Sequence, residues 1–310
     1  TFEKAAREHP TVLVPAHRSH LDYILIGVTL FRSNLNTPVV AAGVNLRFWP
    51  IGFLIRSAGA FFVKRGNNDL LDYLVLRRYV TYLVKRGHLQ EFFIEGGRSR
   101  SGKMRRPKLG LLTIIMEAYF KQIRRDITFV PVSLTYENVV EDKVYGTENT
   151  RKKKEKENLH SLLKARGIFR RKYGEVLIHL GEPISLSDYS TKRSENRSGK
   201  SGSQRQLISD FANELTDKIR LGSSVSLTSL ACTALLMSPS YGLQEDKLRN
   251  QIAILAQHAE LFRRFCPGAA GFTSTLEKFI GSESGSIDAL TSGGLIKNTK
   301  CSSETVYFIP

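Results

Sequence analysis

The sequence predicts an α/β protein: a mostly parallel central sheet with flanking helices, followed by a helical C-terminal region. Three observations predict it. Short apolar runs alternate with longer helix-like segments through the first 185 residues, the pattern of strands joined by crossover helices. The excess of Lys and Arg is confined to residues 1–200, which hold 36 basic and 19 acidic groups, whereas residues 201–310 hold 10 of each. The stretch from Ser185 to Ser203 is rich in Ser, Arg, Lys and Gly and reads as a linker where the charge balance changes. The expected organisation is an α/β domain over residues 1–188, a Ser/Arg-rich linker over 189–203 and the helical region over 204–310.

The strands expected in order are Val12–Pro15, Val39–Ala42, Phe61–Lys64, Glu91–Ile94, Thr128–Leu134 and Val176–Leu180. Between the third and fourth, Asn68 to Gly87 reads as a helix. Asn68 and Asp69 stand as caps, apolar groups recur at Tyr73, Leu76, Val80 and Leu83, and Lys85, Arg86 and Gly87 form the stop. Glu141 to Glu157 reads as an exposed polar insertion ahead of a Leu159–Arg171 helix. In the C-terminal region, Leu248, Ile252, Leu255, Ala259 and Phe262 mark one face of a helix that ends at Cys266-Pro267-Gly268.

Composition narrows the function classes. With 41% hydrophobic and 24% charged residues in a chain of 310, disorder is not the expectation. Cys232, Cys266 and Cys301 lie far apart with no C-x-x-C spacing, which supports neither a disulfide framework nor a cysteine-rich zinc site. A net charge of +17 implies an anionic partner: nucleic acid, a membrane face or a phosphorylated substrate. No apolar run reaches the roughly 18 residues of a membrane span, and Val225–Met237 falls short of it. Thr1 to Pro10 mixes Glu3, Lys4, Arg7 and Glu8 where a signal peptide needs an apolar core, and a chain opening on Thr1 is expected to be part of something longer.

Two constellations could do chemistry. The first strand runs into Ala16-His17-Arg18-Ser19-His20-Leu21-Asp22. On one continuous helix His17 and Asp22 would sit about 140° apart, but across a strand-to-helix turn they can meet. There Asp22 would fix the tautomer of His17 and leave the other ring nitrogen to take a proton from an alcohol. The same residues also fit a plain capping box, Ser19 with Asp22, and His17 as an ordinary loop residue; His20 reads as structural. In the second constellation a buried strand ends in Glu95-Gly96-Gly97, and Arg98, Arg100 and Lys103 follow within a few positions, an arrangement that offers backbone N–H groups and forked cations to phosphate. Gly97 to Lys103 also satisfies G-x-x-x-x-G-K, yet Met104 stands where a magnesium-binding Ser or Thr belongs and Pro107 interrupts the helix that should follow, which argues against an ATPase.

Taken together, H-x-x-x-x-D at His17 to Asp22, G-x-x-F-[IV]-x-R at Gly59 to Arg65, F-x-E-G-x-R-S-R at Phe93 to Arg100 and V-P-V at Val130 to Val132 resemble the four blocks of the glycerolipid acyltransferases. The text around His17–Tyr23, Ala41–Pro50 and Glu95–Arg100 is most similar to the large membrane-bound bacterial glycerol-3-phosphate 1-O-acyltransferases, with dihydroxyacetone-phosphate acyltransferases as the near relatives. The resemblance runs to about residue 188 and includes the helix near 244–265; residues 267–310 fall outside it.

The resemblance implies the glycerolipid acyltransferase fold for residues 1–188, acyl transfer from acyl-CoA or acyl-acyl carrier protein to glycerol 3-phosphate, and no metal or other cofactor, because the thioester is already activated. It implies His17 as base with Asp22 as orienter, phosphate binding by Arg65, Arg98 and Arg100 with Lys103 beside them, an acceptor pocket shaped by Glu95 and Gly96, and Pro131 beside the acyl site. A peripheral membrane protein on the cytoplasmic face, in the bacterial inner membrane, is the expected location. Leu46, Phe48, Trp49, Ile51 and Phe53, beside Arg47 and Arg56, suit an interfacial patch, and their composition fits burial in the core equally well. The rival from another class is a non-enzymatic basic module for nucleic acid or anionic lipid. The aromatic residues lie in strands rather than among the basic runs, which disfavours single-strand stacking platforms.

Overall fold

In the structure, a computed structural model, the residues described are 2–44, 47, 51–64, 69–99, 101–139, 174–195, 203–266, 268–281, 287, 289–292, 296–301 and 304–309. The chain forms two compact units, one of Thr1–Ser133 with His179–Gly222 and the other of Leu134–Ile178 with Ser223–Pro310. The insertion and helix expected over 141–171 lie outside the described residues.

The first unit is built on a sheet with strand order β3 (Ala60–Val63), β2 (Val39–Gly43), β4 (Gln90–Glu91), β1 (Thr11–Pro15), β5 (Thr128–Tyr136) and β6 (Val176–Leu180); β7 (Ile184–Ser185) also pairs with β5. The pairings of β1 with β4 and β5, and of β2 with β3 and β4, are parallel, while β7 runs antiparallel. All five residues of β1 are buried, as an apolar Thr-Val-Leu-Val-Pro run in the middle of a parallel sheet should be. The expected strands fall where they were expected except β4, whose ladder covers two residues instead of four. Phe92 keeps one bond to β1, Phe92 N to Leu13 O at 3.2 Å, and the chain then curls into the Glu95-Gly96 turn, where Lys108 N donates to Ile94 O at 2.7 Å.

On one face, Val12, Val14 and Ala16 pack with Val80 and Val84 of α4 (Leu70–Arg86), Leu112 and Ile115 of α5 (Leu109–Phe120), and Phe211 and Leu215 of α7 (Gln204–Leu221). Helix α4 has the ends its sequence announces: Asp69 accepts from Leu71 N at 2.9 Å and Gly87 takes the left-handed conformation at φ 76°. The other face lies toward α2 (Asp22–Arg32), which follows β1. From β1 to β2 and from β3 to β4 the chain crosses the sheet in opposite directions, so right-handed crossovers put α2 and α4 on opposite faces. The remaining helices of this unit are α1 (Phe2–Glu8), α3 (Ile51–Ser57) and α6 (Leu186–Glu195).

The boundary expected over 189–203 is therefore displaced. Helix α6 occupies much of the supposed linker, and α7 belongs to the first unit, which continues to Gly222. The cause is a buried stripe, Ile208, Phe211, Ala212, Leu215 and Ile219, on a helix whose overall charge balance resembles that of the C-terminal residues. Phe211 meets Phe129 edge-on at 5.0 Å and Tyr189 of α6 at 4.7 Å. Ser133 Oγ donates to Ile219 O at 2.5 Å. Gly222 lets the chain pass, since a Cβ there would stand 2.6 Å from Ser133 Oγ.

The second unit contains α8 (Leu227–Met237), α9 (Glu245–Phe265), α10 (Ser274–Ile280) and α11 (Ala289–Ser292), with a three-stranded antiparallel sheet ordered β8 (Gly242–Gln244), β10 (Glu304–Phe308) and β9 (Lys297–Cys301). The region is helical as expected, and the sheet is an addition. Leu248, Ile252 and Ala256 form the buried face of α9, while Phe262, expected on it, is exposed. Glu137 ties this unit together, accepting from Thr228 N, Thr228 Oγ1 and Thr273 Oγ1 at 3.2, 3.0 and 2.6 Å. No helix among the described residues is long and apolar enough to cross a membrane.

If α7 is part of the first core, Phe211→Ala lowers stability in thermal unfolding by about 3–5 kcal/mol, whereas Phe265→Ala, at a residue 82% exposed, changes it by no more than about 0.5 kcal/mol. Equal effects would remove α7 from that core.

Candidate active site

β1 delivers His17 to the carboxyl end of the sheet, where ligands of parallel α/β folds gather. Ala16 N still bonds Val132 O at 2.9 Å, and the five residues from His17 to Leu21 then turn the chain into α2. Asp22, the first residue of that helix, is wholly buried. Its Oδ2 accepts from Arg18 N at 2.7 Å and from Ser19 N at 2.9 Å, and lies 3.0 Å from His17 Nδ1. Ser19 Oγ accepts from Leu21 N at 3.1 Å. The carboxylate that orients His17 also holds the Arg18 and Ser19 amides of the turn, while Leu21 stands at the N-cap of α2 with no side-chain cap hydrogen bond, so Ser19 and Asp22 do not form a full capping box. Because an ionised carboxylate only accepts, the proton between ring and carboxylate belongs to Nδ1, and in the neutral imidazole Nε2 keeps its lone pair.

β4 lies next to β1, so the segment leaving β4 closes around His17. Phe93 stacks on the imidazole with ring centroids 4.0 Å apart and 26° between planes. Glu95, 1% exposed, accepts from His17 N at 2.9 Å through Oε1 and from Arg105 N at 2.8 Å through Oε2. Ser99 N donates to His17 O at 2.9 Å, and Ser99 Oγ to Lys103 O at 2.5 Å. The histidine is thus held at its N–H, its carbonyl, its ring face and one ring nitrogen. Both oxygens of Glu95 hold backbone, so its part in shaping the site is played through the loop. Gly96 turns at φ 62°, and a Cβ there would come within 2.9 Å of Lys108 Cγ, which gives this glycine a steric reason.

The cations are arranged unevenly. Arg98 is half-buried, and its neighbour Ser99 is bonded to His17. Lys103, Arg105 and Arg106 are exposed, and the Arg18 guanidinium donates to Gly102 O, which pins the loop carrying them. Lys64 pairs with Asp72 at 2.6 Å. Arg65 and Arg100 lie outside the described residues. Pro131 is buried in β5 opposite Val14, and its carbonyl accepts from Gly181 N at 2.9 Å. Of the expected patch, Phe53 is 68% exposed; Leu46, Phe48, Trp49 and the side chain of Ile51 lie outside the described residues.

Two groups at this site carried no signal of their own. Phe93 reads in the sequence as strand core, and its position over His17 follows only from the adjacency of β4 and β1. Glu91 reads the same way, yet it is a buried carboxyl whose pKa burial, and then the negative charge of Asp22, push well above the usual carboxylate range.

Glu95→Gln keeps one acceptor and replaces the other by an NH2 group facing a backbone N–H. It should lower stability by about 1.5–3 kcal/mol, the size of a hydrogen bond to a charged group, read by thermal unfolding. An unchanged midpoint would mean that the loop is held without this carboxylate.

Residues 1–135 match the acyltransferase family, and residues 145–280 match the glycerol-3-phosphate acyltransferase C-terminal region. A glycerol-3-phosphate acyltransferase of Xylella fastidiosa (strain 9a5c) is 33% identical over 263 residues, 82% of this chain and 30% of the relative. That of Xanthomonas campestris pv. campestris is 34% identical over 82% of this chain and 30% of the relative, and that of Aeromonas hydrophila subsp. hydrophila 35% identical over 80% and 32%. The chain thus spans about a third of the length of the curated relatives it matches. Among solved structures, the 1-acyl-sn-glycerophosphate (LPA) acyltransferase PlsC from Thermotoga maritima superposes with a TM-score of 0.38 at 17% identity, covering 70% of this chain and 69% of that one. With the acyltransferase match over its first 135 residues and the C-terminal region of glycerol-3-phosphate acyltransferases over 145–280, the chain belongs to the glycerolipid acyltransferase family.

Proposed function

We propose that the protein transfers a fatty acyl group from acyl-CoA or acyl-acyl carrier protein to the 1-hydroxyl of sn-glycerol 3-phosphate, giving 1-acyl-glycerol 3-phosphate. The observation that carries this reading is the buried bond between His17 Nδ1 and Asp22 Oδ2, which leaves Nε2 as a base. Nε2 takes the hydroxyl proton as the substrate oxygen attacks the thioester carbonyl; the tetrahedral intermediate then collapses, the C–S bond breaks, and the imidazolium returns its proton to the leaving thiolate. Asp22 stabilises the imidazolium that forms between the two steps. The thioester is activated already, so no cofactor is invoked and the acyl donor is a co-substrate.

In this reading Arg65, Arg98 and Arg100 hold the acceptor phosphate with Lys103 beside them, the Glu95–Gly96 turn shapes the acceptor pocket, and Pro131 lies beside the acyl site. Glycerol 3-phosphate is favoured over dihydroxyacetone phosphate because the relatives matched over about four fifths of this chain are named glycerol-3-phosphate acyltransferases. A buried, oriented histidine base has no place in a basic module that only binds lipid or nucleic acid. The membrane surface is the remaining partner we propose: the product is a lipid, and the basic residues of 1–200 would draw the protein to anionic headgroups on the cytoplasmic face of the inner membrane.

Free thiol released on mixing the protein with acyl-CoA and glycerol 3-phosphate tests the reaction. His17→Ala should lower kcat by about a hundredfold to ten-thousandfold, with Asp22→Asn close behind and His20→Ala costing far less. Arg98→Ala should raise KM for glycerol 3-phosphate by about one to two powers of ten and leave KM for the donor nearly unchanged. A folded His17→Ala protein with near-normal turnover would end this reading.

A further inference from the structure

Among the described residues, Glu91 is a buried carboxyl that the mechanism above leaves unused and that lacks a hydrogen-bond partner. Glu91 closes β4, opposite Leu13 of β1 and Val40 of β2, so it sits between two neighbouring strands and is 1% exposed. Successive side chains of a strand alternate between faces. Phe92 joins Val12 and Val14 on the side of α4, α5 and α7, and Glu91 therefore points with Leu13 to the face that α2 covers. Asp22 begins α2, and its negative charge adds to burial in raising the Glu91 pKa. Neither oxygen of Glu91 has a hydrogen-bond partner among the described residues.

A carboxyl so placed is an expensive core residue. Buried polar atoms are nearly always partnered, and an ionised pair of carboxylates at one site repel. Held as the neutral acid, Glu91 can instead be useful to its neighbour. It fills the space on the sheet side of Asp22 with a group that brings no charge, keeps water from that carboxylate, and presents an O–H dipole that can turn toward it. In a dry site the attraction between Asp22 and the His17 imidazolium is much stronger than in water.

We propose, resting on the acyl-transfer reading, that Glu91 is a positioning residue of this active site, a buried side chain on the Asp22 face of β4 that keeps the Asp22–His17 pair dry and fixed. It touches no substrate, so its removal should act on turnover through Asp22 and on nothing else.

The experiment is a cycle of Glu91→Ala, Glu91→Gln and Asp22→Asn, read by steady-state thiol release and by the proton NMR resonance of His17 Nδ1–H. Glu91→Ala should lower kcat by about tenfold or more while KM for both substrates stays within about twofold, and it should shift or broaden the Nδ1–H resonance. Glu91→Gln, equal in shape and uncharged, should restore most of the loss and the resonance. In the Asp22→Asn background, Glu91→Ala should cost no more than about twofold further. Wild-type kcat and resonance in Glu91→Ala would overturn the proposal. So would a loss of the same size with Asp22 already changed, a matching rise in KM, or a Gln variant as impaired as the Ala one. If the wild-type protein releases no thiol, the acyl-transfer reading fails by itself, and the resonance still decides whether Glu91 sets the His17–Asp22 pair.

Discussion

Asp22 Oδ2 accepts from two backbone N–H groups and faces the protonated nitrogen of His17, and that shared acceptance constrains everything around it. A wholly buried carboxylate costs several kcal/mol unless it is compensated. Here each charge-assisted bond offsets about 1.5–3 kcal/mol, and the amino end of α2 adds a favourable dipole. The compensation requires one geometry. Residues 18 and 19 must present their amides inward, so the turn from β1 to α2 can take only a narrow set of shapes, and the imidazole that completes the shell is oriented by the same demand. The local fold and the candidate base are consequences of one desolvated oxygen.

The parallel sheet supplies the second half of the site. His17 and Glu95 are 78 residues apart in sequence, but β1 and β4 are neighbours running the same way, so the residues that follow them emerge side by side. Glu95 then uses its two oxygens on two backbone segments, one ending β1 and one leading to α5. Hydrogen bonds to both the amide and the carbonyl of His17 stop the backbone from following ring motion. A base that must meet a hydroxyl and a thioester in one encounter gains from such rigidity, because misplacement by even an ångström is costly in rate.

Much of this was legible in the amino-acid order. Strands with apolar runs, such as Thr128–Leu134, and helices with both caps present, such as α4, have local signals strong enough to stand without tertiary context. The His17–Asp22 spacing was legible as a possibility, and Ser19 made it ambiguous; the structure pairs Asp22 with His17 and leaves the N-cap of α2 without a side-chain cap. What could not be read depends on non-local packing. Helix α7 carries a charge balance like that of the residues after it, and only the contacts of Phe211 with Phe129 and Tyr189 assign it to the first core. The short ladder of β4 follows from the turn at Gly96, and Phe93 and Glu91 acquire their places only when β1 and α2 are present beside them. Strand β8 pairs with β10 about 60 residues further along, too distant for any periodicity to announce, whereas β9 and β10 form a local hairpin.

The central claim is that Asp22 holds His17 in the tautomer with its proton on Nδ1, leaving Nε2 as the base. Nitrogen-15 NMR of the imidazole, with the His17 signals identified by their loss in His17→Gln, measures this directly in the neutral ring. The account predicts a protonated Nδ1 and a bare Nε2. A ring carrying its proton on Nε2 would contradict it, because such a histidine could neither donate to Asp22 nor take a proton from a hydroxyl.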